Sequence, residues 1–208
     1  MINVMQKYLS NKIKPNYPYY KFFILNTSKY TYEIIDILKD VIGEAEVVSY
    51  EEYSVIFYFN KIDFDFKSLI KTINDDFYAD AHLFESGKIQ FGDASEFHKL
   101  LDIYNKAELS KYTYTSNKNI LVYLTSCKEQ AKDLAPVVLN KMVKDESLLM
   151  LANAMFENDL NISMTAKNTY MHRNTVNYKL EQIKDETGLD IRRFKDAVIM
   201  YEFLKIFK

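Results

Sequence analysis

The sequence predicts an α+β chain in two parts, a unit mixing strands and helices followed by an all-helical unit. Three observations predict it. Strand-like and amphipathic helical segments alternate up to about residue 127, only the helical period recurs from Glu146 onward, and no repeat or low-complexity tract interrupts either part. The 208 residues are 48% hydrophobic and 27% charged, the balance of an ordinary globular protein, which excludes disordered and collagen-like classes.

Residues 1–18 end in NKIKPNYP, whose prolines and polar neighbours read as a lead-in. Tyr20 to Leu25 is continuously aromatic and aliphatic, as in a central strand buried on both faces. A helix is expected from Thr31 to Ile42, stopped by Gly43, then strands Ala45 to Ser49 and Ser54 to Phe59 joined through Tyr50, Glu51, Glu52 and Tyr53. A helix from Phe64 to Phe77, carrying Leu69, Ile70 and Ile73 inward, and a strand from Ala79 to Glu85 complete a β-α-β-β-α-β order. That order is the ferredoxin-like split βαβ arrangement. A helix from Ala94 to Ala107, a strand over Ile120 to Leu124, and an amphipathic helix from Lys128 to Asp145 follow, with Pro136 tolerable only near a first turn or at a kink.

The C-terminal part reads as four helices. The first, Glu146 to Glu157, buries Leu148, Leu151, Ala152, Met155 and Phe156. A short second one, Ser163 to Thr169, is entered through Asn161 and Ser163, both able to cap. The third, Arg173 to Glu186, sets Val176, Leu180 and Ile183 at i, i+4 and i+7 and ends at Thr187-Gly188. The fourth starts after Asp190 and runs to Phe207. The expected domains are thus a lead-in over 1–18, a ferredoxin-fold domain over 19–127, a connecting helix over 128–145 and a helical domain over 146–208.

Composition narrows the chemistry. Four scattered glycines, Gly43, Gly87, Gly92 and Gly188, build no phosphate cradle, so P-loop and dinucleotide-binding sites are excluded. One cysteine, Cys127, excludes disulfide frameworks and thiolate zinc sites, and it reads as an inert thiol. His82, His98 and His172 lack metal-ligand spacing, so neither metal nor cofactor is expected, and no catalytic constellation is visible. The apolar runs are far shorter than the ~20 residues that span a bilayer. The first residues lack a signal peptide's apolar core, so a cytoplasmic protein away from membranes is expected. Net charge is 27 minus 29, or −2, and any nucleic-acid binding must be local.

One place offers it. The second and third C-terminal helices are separated only by Tyr170, Met171 and His172, the outline of a helix-turn-helix. With Val176, Leu180 and Ile183 inward, Asn174, Tyr178 and Glu181 fall outermost, and Arg173, Thr175, Asn177 and Lys179 flank them. Arg and Asn bond bidentately to guanine and adenine edges in the major groove, while Thr, Tyr and Lys suit phosphates or a thymine methyl. A plain helical packing module would show the same spacing.

The string NISMTAKNTYMHRNTVNYKLEQIKDETGLDIRRFKDA resembles the C-terminal helix-turn-helix of PucR/CdaR-type bacterial transcriptional regulators. The agreement runs in register through Asn161, Ile162, Ser163, Thr165, Ala166, His172, Arg173, Asn174, Thr175, Tyr178, Leu180, Ile183, Thr187, Gly188, Leu189 and Asp190. Tyr170 replaces an aliphatic residue of the pattern, and Asn177 and Lys179 stand where arginines are frequent. The wheel and the resemblance together give a DNA-contacting set of His172, Arg173, Asn174, Thr175, Asn177, Tyr178 and Lys179, with Ser163, Thr165 and Lys167 as candidate phosphate contacts; the concentration of arginines in this part adds Arg192 and Arg193, expected at the start of the fourth helix. It also implies double-stranded DNA as partner, leaving the effector unknown. A homodimer is expected because one module with a net charge near +1 makes few phosphate contacts, and the ferredoxin-fold domain or the Lys128 to Asp145 helix would supply its interface. In the same family a degenerate GGDEF-like domain precedes the helix-turn-helix, and VVSYEEYSVIF lies where a cyclase carries its signature hairpin. Glu51, Glu52 and Tyr53 stand at the Asp-Glu-Phe position, but Ser49 and Tyr50 replace the two glycines that admit a nucleotide, so a non-enzymatic chain is expected.

Two other readings use the βαββαβ unit. RNA binding would need Lys21 to Phe23 and Phe57 to Phe59 as stacking rings, against a net −3 from 18 lysines and 21 acids over residues 1–147. Cyclic-dinucleotide binding is disfavoured by the lost glycines. Residues 148–208 hold 9 basic and 8 acidic side chains and all three arginines, Arg173, Arg192 and Arg193.

Overall fold

A computed structural model describes residues 4–10, 15–50, 52–92 and 94–206. The chain divides into two compact units, Met1–Ile120 and Leu121–Lys208. Sheet and helices together make it α+β, and no helix among the described residues is long and apolar enough to cross a membrane.

The N-terminal unit runs α1 (Val4–Leu9), β1 (Tyr19–Asn26), α2 (Thr31–Ile42), β2 (Ala45–Tyr50), β3 (Tyr53–Tyr58), α3 (Phe66–Phe77), β4 (His82–Glu85), β5 (Ile89–Gln90), α4 (Ser95–Lys106) and β6 (Tyr114–Ser116). Its sheet has the order β2-β3-β1-β4-β6, with β5 also on β1. β1 is antiparallel to β3 (Phe22 opposite Phe57) and to β4 (Ile24 opposite Phe84), and β4 is parallel to β6. The uninterrupted apolar run of β1 follows from this central place, because both of its faces are covered. Phe23 and Leu25 pack with Ile34, Leu38, Ile70 and Ile73 of α2 and α3. On the other face the Phe22 ring meets Phe97 of α4 at 5.2 Å between centroids. Phe22, Phe23 and Phe57 are fully buried and Phe59 nearly so, so the rings that an RNA surface would need serve as core.

Several boundaries differ from expectation. The lead-in contains α1, whose Met5 and Tyr8 are buried, while residues 1–3 and 11–14 lie outside the described set. α3 begins at Phe66 because Asp65 caps it, accepting from the Ser68 amide at 3.1 Å. β4 begins only at His82, since the Asn74 side chain takes both main-chain groups of Ala81 in place of a strand neighbour. Tyr50 and Tyr53 are not joint residues: they face each other as the ends of β2 and β3. The Tyr53 ring is buried, with its hydroxyl bonded to Asn105 Oδ1 at 2.9 Å, while Glu52 is exposed and Glu51 lies outside the described residues. Ile120 to Leu124, expected as a strand, lies in helix α5 (Asn117–Thr125), where the unit boundary falls. Ile120, Leu121 and Leu124 are all fully buried, a helical spacing that so short an apolar run does not distinguish from a strand.

The C-terminal unit holds α6 (Lys128–Val138), a 3-10 turn over Asn140–Lys144, α7 (Glu146–Glu157), α8 (Ile162–Asn168), α9 (Arg173–Thr187) and α10 (Phe194–Ile206). The helix expected over Lys128 to Asp145 ends at Val138, with Pro136 inside its last turn and the Leu139 amide still bonded to Ala135 O at 2.9 Å. α6 buries Ala131, Leu134, Ala135, Val137 and Val138 in this unit's core, so it is a member of the bundle. Phe207 lies outside the described residues.

Candidate nucleic-acid interface

Capping and burial position α8 and α9. Asn161 accepts from the Ser163 and Met164 amides at 3.0 and 3.1 Å and starts α8. At its end the Met171 amide reaches back to Ala166 O at 3.0 Å, a Schellman-type closure that puts Tyr170 in the left-handed region at φ 55. His172 then starts α9, its Nδ1 accepting from the Asn174 amide at 3.2 Å, and Gly188 at φ 78 ends it. Val176, Leu180 and Ile183 are buried as the period requires, anchoring α9 against the rest of the unit.

Tyr170 carries a measurable consequence. A residue with a β-carbon pays about 1 to 2 kcal/mol in the left-handed region, where glycine does not. The ring is 98% exposed and has little packing to lose. Tyr170→Gly is therefore expected to stabilise the unit by about 1 kcal/mol, read as a rise of several degrees in the thermal midpoint. An unchanged or lower midpoint contradicts this.

The sequence-derived contacts separate into groups. His172, Arg173, Asn174, Thr175 and Tyr178 are exposed at and after the start of α9, and Asn177 is half-buried beside them. The side chains of Arg173 and Asn174 make no hydrogen bond or ion pair among the described residues. Ser163 and Lys167 are exposed on α8.

Three residues depart from their expected roles. Thr165 is fully buried, its Oγ1 without a hydrogen-bond partner among the described residues, so it cannot meet a phosphate. It shares the inward side of α8 with Ala166. Lys179, half-buried, donates from Nζ to Ser147 Oγ at 2.7 Å. Ser147 in turn belongs to the Asp145 cap of α7, whose carboxyl is held below its usual range by hydrogen bonds from Ser147. Arg192 and Arg193 do not start the last helix but precede α10 in a turn. One edge of the Arg192 guanidinium lies on Asp190, at 2.6 and 2.9 Å, and its Nη2 also reaches Glu181 Oε1 at 2.6 Å. Hydrogen bonding from Arg192 keeps the Asp190 carboxyl below the ordinary carboxylate range. Arg193 stays 80% exposed, 3.9 Å from Asp190.

Sequence reasoning missed the Arg192–Glu181 and Lys179–Ser147 bridges. Helical spacing relates residues on one element only, and each of these pairs joins two. No group of three or more His, Cys, Asp or Glu side chains gathers as a metal site would among the described residues.

Comparison with known proteins agrees with this geometry. Residues 148–206 match the PucR C-terminal helix-turn-helix domain. The carbohydrate diacid regulator of Escherichia coli is 34% identical over 79 residues, covering 37% of this chain and 20% of that protein. The proline-responsive transcriptional activator PutR of Bacillus subtilis is 27% identical over 134 residues, 61% of this chain and 32% of that protein. The matches span only 17% to 32% of the length of the curated relatives. A solved regulator of polyketide synthase expression from Bifidobacterium adolescentis is similar over 99% of this chain and 87% of its own, at 15% identity and a TM-score of 0.40, too low to place the fold. Over residues 148–206, then, the chain carries a PucR C-terminal helix-turn-helix domain, with the Arg173-Asn174-Thr175 start of α9 exposed on a buried apolar spine.

Proposed function

We propose that the protein is a cytoplasmic, sequence-specific DNA-binding transcriptional regulator that inserts the start of α9 into a major groove. The observation that carries this reading is the exposed Arg173-Asn174 pair, unengaged among the described residues, at the head of a helix rigidly held through Val176, Leu180 and Ile183. Guanidinium and carboxamide groups at that place suit base edges. Thr175, Asn177 and Tyr178 flank them, His172 caps the helix, and Ser163, Lys167 and Arg193 supply phosphate contacts. Arg192 acts within the protein instead, covering Glu181, one turn past Tyr178, whose charge would otherwise repel the phosphate backbone. Lys179 braces α9 on α7, and its engagement with Ser147 removes it from the contact set.

The N-terminal unit fits a degenerate GGDEF-like domain of ferredoxin-like topology. The β2-β3-β1-β4 order with α2 and α3 on one face supports that reading. The hairpin argues for a scaffold over catalysis, because Tyr50 and Tyr53 pair directly and the sequence between and beside them holds no glycine to admit a phosphate. A homodimer follows from charge: residues 148–208, with 9 basic and 8 acidic groups, neutralise few phosphates alone, and two half-sites double the contacts. Selection of bound fragments from genomic DNA tests the reading. Enrichment of a palindrome with half-sites about 10 bp apart, or a multiple of that, is the expected result. Recovery without any common site overturns it.

A further inference from the structure

On α7 the residues Met150, Asn153 and Glu157 recur at i, i+3 and i+7 and so share one side of the helix. With Asn158, Asn168 and Tyr170, from the ends of α7 and α8 and the turn that follows, they wall a hollow of about 790 Å³. That volume is of the size that small ligands occupy.

The chemistry of the hollow follows from where its donors go. A side-chain amide that spends its nitrogen on a carbonyl is fixed in orientation and has its oxygen left over. Asn158 donates from Nδ2 to Ala154 O at 2.7 Å, so its Oδ1 must accept, and it does so from Asn168 Nδ2 at 2.6 Å. Asn168 Oδ1 then has no partner among the described residues. Asn153 donates from Nδ2 to Leu149 O at 2.9 Å, which leaves its own Oδ1 in the same condition. Thr169, also in the lining, gives its hydroxyl proton to Thr165 O at 2.7 Å. The Glu157 carboxylate, exposed at the end of α7, makes no hydrogen bond or ion pair among the described residues.

No Lys, Arg or His lines the hollow among the described residues, and Lys167 of α8 forms no ion pair among them. What remains free is a set of acceptors and one negative charge, beside the Tyr170 ring at 98% exposure. The C-terminal ends of α7 and α8 add the partial negative charge of their last carbonyls. A ligand that satisfies this set brings donors and positive charge. Guanidinium suits it best, because its planar fork of N–H donors reaches several acceptors at once and its face stacks on an aromatic ring. An ammonium group offers the same charge with fewer donors.

We propose that this hollow binds an organic cation bearing a guanidinium or ammonium group, held by Glu157, Asn153 and Asn168 and packed on Tyr170 and Met150. The group can arrive on a small molecule or on an arginine side chain of a protein, and two probes separate these sources. Calorimetric titration of the full chain with n-butylguanidine, its neutral isostere n-butylurea and the blocked tripeptide acetyl-Gly-Arg-Gly-amide tests the site. Saturable one-to-one binding of butylguanidine is expected, with butylurea weaker by about tenfold or more, since a charged donor on a carboxylate is the stronger bond. Glu157→Gln, which keeps the shape and removes the charge, should weaken butylguanidine by about tenfold with an unchanged circular dichroism spectrum. Tyr170→Leu, which removes the ring, should weaken it about two- to fivefold. A tripeptide that binds as tightly as butylguanidine supports the site and points to a protein arginine, and one that fails where butylguanidine binds supports it and points to a small molecule. Neither guanidinium probe saturating, butylurea binding as well as butylguanidine, or Glu157→Gln binding as the parent does overturns the site.

Discussion

Replacing Arg173 and Asn174 together by alanine is expected to lower affinity for the selected DNA site by roughly 1 to 3 kcal/mol for each base edge no longer bonded, about five- to 150-fold each. Binding to unrelated DNA, which rests on phosphate contacts, should fall much less. Neither side chain is engaged within the protein among the described residues, so thermal unfolding should not change. Titration of the double variant and the parent against the site and a scrambled duplex checks both parts. Equal affinity of the two proteins for the site would place the reading element elsewhere.

Leu180→Ala is expected to have the larger effect on stability. Leu180 is 1% exposed midway along α9, between Val176 and Ile183, which are fully buried. Truncating a leucine at such a site costs about 2 to 5 kcal/mol, through reduced transfer energy and the cavity left behind. Small domains hold only about 5 to 15 kcal/mol in all. Helical signal from the C-terminal unit should therefore disappear at markedly lower urea, and DNA binding should fall with it. Tyr178→Ala, at a ring 72% exposed on the opposite face, serves as the comparison and should leave the urea midpoint nearly unchanged. A Leu180→Ala midpoint close to that of Tyr178→Ala would mean that α9 is not anchored through this spine.

Elements whose own residues carry their period were legible in the sequence. β1 announced its central place through an unbroken apolar run, α2 was bounded by Gly43, and Val176, Leu180 and Ile183 marked which face of α9 is buried. Where two periods fit equally, the reading failed. Ile120 to Leu124 satisfies strand and helix alike, and β6, three residues long, draws its stability from parallel pairing with β4, not from a local pattern. Tertiary partners decided the rest. Nothing near Arg192 in the sequence shows that Glu181 comes within 2.6 Å of it, and nothing near Lys179 points to Ser147. The burial of Thr165 was within reach, since it precedes inward-facing Ala166 by only about 100° around the helix, within the width of one buried face. Tyr170 lay open to the opposite error: an aromatic residue reads as core, yet the Schellman closure of α8 sets it at positive φ with its ring in solvent.

The central claim is that Asn174 and Arg173 read bases, and a single-base scan of the selected site tests it most directly. Every position of one half-site is substituted in turn, and affinities are measured for the parent and for Asn174→Ala at fixed salt. For the parent, each wrong base at a read position should cost about 1 to 3 kcal/mol. In Asn174→Ala the penalty should flatten at one position in the half-site and persist at the others, since removing a base contact relaxes specificity only where that contact was made. A uniform loss across all positions, or a penalty profile identical to the parent's, would contradict the assignment of α9 as the reading helix.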